Sequence, residues 1–146
     1  MSTIFGKGYD SNAMEFIAIS SSEMEVRLAW LLNVHLRLDM QRVQDLEMVQ
    51  ANGNISMHCR FKFYSDEEKM EVNLFENKSP DGILIPEWAK WDYIMKLDHE
   101  RGEIAPDWIP RIKAMPGVAA AIDIDLTKTK TLERLIQACF QTYDRK

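Results

Sequence analysis

Cysteine is scarce in this sequence. Its two thiols, Cys59 and Cys139, stand far apart and form no CxxC pair. That excludes a disulfide scaffold and fits a reducing compartment. Histidine is scarce too: His35, His58 and His99 are scattered, with no HxxxH or HExxH spacing, so no zinc site is expected. There is no long apolar run. The longest, Leu28–Leu38, is broken by Asn33, His35 and Arg37, so no segment should span a bilayer. The opening residues lack the uninterrupted apolar stretch of a secretory signal. Positive charge is in deficit, with 18 Lys and Arg against 23 Asp and Glu, a net charge of −5 and a pI of about 5.2. Phosphate neutralisation needs a basic face, so neither nucleic acid nor an anionic membrane is an expected partner. GxSxG, Walker and GxGxxG patterns are missing, as are repeats and low-complexity stretches. These absences describe a cytoplasmic protein with no cofactor and no metal.

What is present is ordinary for a folded domain: 146 residues, 46% hydrophobic and 28% charged. A chain of this size buries roughly 68–70% of its unfolded surface and needs no covalent staple. Residues 1–13 are polar, contain two glycines and are expected to be flexible. Residues 14–146 are expected to form a single α+β domain.

Glu15–Ser20 predicts a strand burying Phe16, Ile17, Ala18 and Ile19. Ser20-x-x-Glu23 and Ser22-x-x-Glu25 both have capping-box spacing before a helix running to Leu36. Asp39 is expected to cap a further turn carrying Met40, Val43 and Leu46. After a turn at Ala51–Asn54, Ile55, Met57, Cys59, Phe61 and Phe63 alternate with polar residues through Tyr64, which predicts one long strand with a wet face holding His58. Met70, Val72 and Leu74 should complete a hairpin with it. Ile83-Leu84-Ile85 stops at Pro86. Trp91, Tyr93, Met95 and Leu97 predict another strand, with Asp92 and Lys96 on its wetter side. Asp107 is expected to cap a helix with Pro110 in its first turn and Ile109, Ile112 and Met115 inward, ending at Pro116-Gly117. Val118–Leu126 predicts a strand, and Leu132, Leu135, Ile136, Cys139, Phe140 and Tyr143 mark a terminal amphipathic helix.

The order resembles a split βαβ pattern. It points to a ferredoxin-like-related antiparallel or mixed sheet of about five strands, with two main helices mainly on one face and a C-terminal amphipathic helix.

Ile85-Pro86-Glu87-Trp88-Ala89-Lys90-Trp91-Asp92-Tyr93 resembles the signature of the IPExxxVDY family, a group of small proteins from Bacteroidetes. Ile85, Pro86, Glu87, Asp92 and Tyr93 match it, and Trp91 stands at the Val position. Arg27–Asn33 is similar to the family's first helix. Ile112-Lys113-Ala114-Met115-Pro116-Gly117-Val118 is similar to its Ile-x-x-Ile-Pro-Gly-Val segment, with Met115 in place of Ile. The resemblance spans roughly residues 15–130 and implies no reaction.

Seven residues stand out as a binding or structural motif: Glu87, Trp88, Asp92 and Tyr93, with Arg27, Trp30 and Asn33. Glu87 and Asp92 could share a proton or hold a cationic group, with Tyr93 as donor. The structural reading is favoured, because period two places Tyr93 with Met95 and Leu97 in the core. Arg27, Trp30 and Asn33 share a helical face and could meet an anionic or planar ligand. The favoured reading instead pairs Arg27 with Glu87 or Asp92 and packs Trp30 inside, so that Arg27→Ala would destabilise the domain. Trp88 is expected to be exposed. Asp123 and Asp125 point one way on a strand, roughly 6.6 Å apart, and are expected to be solvated. Both cysteines are read as inert.

No catalytic residue emerges. We expect a non-enzymatic binding, adaptor or regulatory module with a protein partner or a homodimer. Its surface would be the sheet edge and loop around Glu87–Asp92. The alternative is a small enzyme or metabolite sensor in which Glu87, Asp92, Tyr93 and Arg27 converge on a pocket; no small-molecule ligand is specified.

Overall fold

A computed structural model describes residues 14–99, 108–127 and 129–144, with side chains as far as Phe140. The segment 1–13, Asp107 and the side chain of Tyr143, which carry expectations above, lie outside the described residues. The fold is α+β, and all pairings of its main sheet are antiparallel.

Strand β1 (Met14–Ser21) is apolar almost throughout because it is paired on both sides and covered on both faces. Helix α1 (Glu25–Leu36) follows, and buries Leu28, Ala29, Leu31, Leu32 and Leu36. Neither expected capping box forms. Met24 is the N-cap and makes no side-chain bond. The Ser21 hydroxyl instead donates to the Gly117 carbonyl at 2.7 Å and accepts the Glu23 N–H at 3.1 Å. Arg37 closes α1 in the left-handed conformation, φ 59°.

The expected turn after Asp39 is absent. In its place lie β2 (Gln41–Arg42) and β3 (Leu46–Val49). The long strand predicted over Ile55–Tyr64 is two strands, β4 (Ile55–His58) and β5 (Arg60–Ser65). β4 pairs with β3 as a separate hairpin, whereas β5 pairs with β6 (Met70–Glu76). The break at Cys59 wraps around Glu76: the Cys59 N–H donates to Glu76 Oε1 at 3.0 Å, and the Glu76 N–H donates to the Cys59 carbonyl at 3.0 Å. Parity changes there. Ser56 and His58 are buried and Ile55 and Met57 exposed, the reverse of the alternation expected for that half.

A two-residue ladder, β7 (Lys78–Ser79) with β8 (Gly82–Ile83), and a 3₁₀ turn over Pro86–Trp88 lead to β9 (Tyr93–His99). Helix α2 (Trp108–Lys113) and β10 (Val118–Ile124) follow, then α3 (Thr131–Asp144). The main sheet has six strands rather than five, in the order β10-β1-β9-β6-β5-β2. β9 and β10 both oppose β1 and so run parallel to each other, one on each side of it.

The sheet is a middle layer. On one face Ile17, Ile19, Val72, Leu74, Met95 and Leu97 meet α1 and α2. On the other, Phe16, Ala18, Phe75 and Ile94 meet α3 and the β3–β4 hairpin. The terminal helix therefore covers the sheet, on the face opposite the other two helices. The expected wet side of β9 is inside: Lys96 is 6% exposed and bridges to Asp98. Asp123 is exposed on β10, and Asp125 lies beyond the strand, where its Oδ1 accepts the Thr127 N–H at 2.9 Å.

Candidate functional site

The Ile85–Tyr93 segment is held by a residue to which the sequence pattern draws no attention. Asn77 is fully buried. Its Oδ1 accepts the Ile85 N–H at 2.9 Å, and its Nδ2 donates to the carbonyls of Trp88 at 2.9 Å and Trp91 at 2.7 Å. The Ile85 donor fixes which end of the amide is oxygen. Its backbone adds two bonds, to the Asp92 carbonyl and from the Leu84 N–H. Three of the four hydrogen bonds open to one side chain go into shaping the loop. A lone asparagine in a polar stretch carries no sequence signal of burial.

The motif residues then turn to different elements. Glu87, on the 3₁₀ turn, is exposed, and its carboxylate accepts the hydroxyl of buried Thr131 at 2.7 Å, the first residue of α3. Trp88 is half-buried against the core beneath α3, not exposed. Asp92 Oδ2 accepts the Ser21 N–H at 2.9 Å, and its Oδ1 lies 3.4 Å from Lys78 Nζ. Tyr93 is core, as expected, and its hydroxyl donates to the Glu23 carbonyl at 2.6 Å; burial raises its pKa. The segment is thus a joint linking β1, the start of α1 and the start of α3. It does not lie on a sheet edge, because β9 is paired on both sides.

Arg27 meets neither Glu87 nor Asp92. Its Nε lies 3.8 Å from Glu23 Oε1, and its guanidinium stands 5.2 Å over the Trp30 ring. Both side chains are on the surface, and Trp30 is 53% exposed rather than packed inside. Asn33 does not join them. Its amide exchanges two hydrogen bonds with the Met40 backbone, at 2.9 and 3.1 Å, and so fixes the chain leaving α1.

An open depression of about 580 Å³ is lined by Ser20, Ser21, Ser22, Asp92, Gly117, Val118 and Ala119. Its two best-placed polar groups, Ser21 and Asp92, are already bonded to the protein. The closest approach to a nucleophile–base pair is elsewhere. Ser56 Oγ lies 2.7 Å from His58 Nε2, and His58 Nδ1 lies 2.8 Å from the Glu76 carbonyl. A carbonyl only accepts, so the proton sits on Nδ1 and the serine donates to Nε2. Gln50 Nε2 in turn donates to Ser56 Oγ at 2.8 Å. Ser56 and His58 are both buried, so no substrate reaches them; burial lowers the His58 pKa and keeps the ring neutral. Burial likewise pushes the Cys59 thiol up to about 11, and Cys139 is raised for the same reason. Among the described residues no group of three or more His, Cys, Asp or Glu could hold a metal ion, and no helix is long and apolar enough to cross a membrane.

Among the described residues, the outer face of α1 is an apolar surface left exposed. Val26, Trp30 and Val34 are 61%, 53% and 53% exposed, and Met24 just before them is 69% exposed. They recur every fourth residue, opposite the stripe that packs on the sheet. The signal is present in the sequence as a helix with a second apolar stripe opposite the first, separated from it by Glu25, Arg27, Asn33 and His35. Compared with family models, curated proteins and solved structures, the chain matches none.

Proposed function

We propose that this is a non-enzymatic binding module of the cytoplasm, and that its working surface is the outer face of α1 rather than the loop around Glu87–Asp92. One observation carries the reading. α1 buries one apolar stripe in its own core and presents a second, Val26–Trp30–Val34, to solvent. The face of a surface helix opposite its packed stripe is normally polar. Tryptophan with arginine stacked on it, as Trp30 and Arg27 are, is a side-chain pair of the kind that anchors protein interfaces. A binding role is favoured over an enzyme or metabolite sensor because the polar groups of Glu87, Asp92 and Tyr93 already hold protein partners.

In this reading the IPExxxVDY resemblance marks a structural joint, and membership of that family is part of the proposal. So is a ferredoxin-related core, supported by β9 and β10 running parallel on either side of β1.

The test is capture from extracts of the native source with wild-type chain and with Trp30→Glu. Proteins retained by the wild type should be lost by the variant, with its circular dichroism and melting unchanged. Identical capture by both would remove the α1 surface from consideration.

A further inference from the structure

We infer that the occupant of the α1 face is a second copy of this chain, docked helix against helix, antiparallel, about a two-fold axis at Trp30. The inference rests on the binding role proposed above and names its partner. Val26 and Val34 lie four residues to either side of Trp30. A two-fold axis at the tryptophan therefore lays Val26 of one copy on Val34 of the other and brings the two indoles together. Such self-complementarity is what an isologous interface requires.

Charge specifies the direction. Glu23 lies just before the N-cap of α1 and Glu25 opens the helix, with Arg27 the one base among them; His35 lies in the last turn and Arg37 is the C-cap. Glu23 and Arg37 flank α1 just outside its two ends. Antiparallel docking sets the acidic end of each copy on the basic end of the other and opposes the two helix dipoles. Parallel docking sets like charge on like. Arg111 donates to the His35 carbonyl at that end. Among the described residues at that end, the acid Asp39 accepts from Gln41 Nε2 at 2.9 Å. Glu23 keeps its contact with Arg27, so the seam has a charged rim around an apolar centre.

The surface is small. A helix of 12 residues is about 18 Å long, and one such seam covers less than the roughly 800 Å² per partner of a standard interface. The dimer is therefore a weak one in exchange with monomer.

Sedimentation velocity from low to high micromolar chain should show mass rising from monomer to dimer. Trp30 emission should shift to the blue over the same range. Trp30→Glu and Val34→Glu change exposed side chains and should weaken dimerisation by about thirtyfold or more, as loss of a central interface anchor does. Orientation is read by cross-linking. Val26→Cys chains mixed with Val34→Cys chains should form the mixed disulfide under mild oxidation, beyond the wild-type background from Cys59 and Cys139. Same-variant disulfides alone would overturn antiparallel docking. A dimer unaffected by Trp30→Glu would overturn the inference. A monomer at every concentration would overturn it too, yet would leave the binding role standing if capture of some other protein still depends on Trp30.

Discussion

Replacing Asn77 by aspartate keeps the shape of the side chain but removes two hydrogens and adds a charge. The bond from the Ile85 N–H survives, because the new carboxyl still accepts. The two bonds to Trp88 and Trp91 do not; a carboxylate oxygen is left facing two carbonyl oxygens at 2.9 and 2.7 Å. Each lost bond costs about 0.5–1.5 kcal/mol net, and an uncompensated buried charge adds to that. We expect about 3–5 kcal/mol of destabilisation near neutral pH, a large fraction of a typical domain's stability. The effect should shrink in acid. The new carboxyl titrates near 3.9 when unfolded, and burial against carbonyls raises that value in the folded chain. Between the two values the folded state binds more protons, so stability relative to wild type rises as pH falls through that window. The protonated carboxyl also regains one donor. Urea unfolding followed by circular dichroism at neutral and mildly acid pH measures this. Asn77→Ala serves as control, since it loses those two bonds, and the Ile85 bond besides, without a titrating group. A variant as stable as wild type at neutral pH would refute the reasoning. So would a deficit that fails to narrow on acidification.

His58 is held neutral by burial, with its pKa below the usual 6.5. Between that lowered value and about 6.5 the unfolded chain binds the extra proton, so stability falls with acid by up to about 1.4 kcal/mol per pH unit. Comparing urea unfolding of wild type and His58→Gln across that range should show a shallower slope in the variant; equal slopes would count against the assignment. Gly117 has φ +81°, and a Cβ there would fall 2.2 Å from Glu23 Oε2 and 2.6 Å from its Cγ. Gly117→Ala should cost about 1–3 kcal/mol in thermal unfolding, and less in a Glu23→Ala background where only the backbone strain remains; no loss in either background would contradict both terms. Arg27→Ala should stay within about 1 kcal/mol of wild type, because its contacts are exposed. A collapse of its melting transition would mean that Arg27 has a structural role not visible in its contacts.

Elements whose faces match their surroundings are legible in the sequence. α3 is readable because it buries a stripe with one regular period, and β1 because an unbroken apolar run matches a strand covered on both faces; β6 and β9 alternate in sequence although both their faces are buried. Legibility fails where the surroundings change along an element. At Cys59 the chain leaves one sheet for another, so the alternation from Ile55 to Phe63 is real as a pattern but describes two different environments. Lysine prefers water, and alternation alone therefore puts Lys96 outside. Here burial opposes its charge, and Asp98 more than restores it, so the pKa is raised. The site divides similarly. The core place of Tyr93 follows from period two. Asn77, Thr131 and Ser21 escape notice because their roles are long-range hydrogen bonds that leave no local trace.

The sheet order also sets when this chain can fold. β1 is the first described strand, yet its two neighbours are β9 and β10, the last two. Until both have been synthesised, the strand holding Phe16, Ile17, Ala18 and Ile19 has at least one edge unpaired. The β5–β6 and β3–β4 hairpins can close early, from local contacts alone. The apolar centre must wait for the most distant segments, which makes folding slow. During that wait β1 is the stretch most exposed to pairing with the wrong strand. A chain truncated before β10 would leave that hazard permanent.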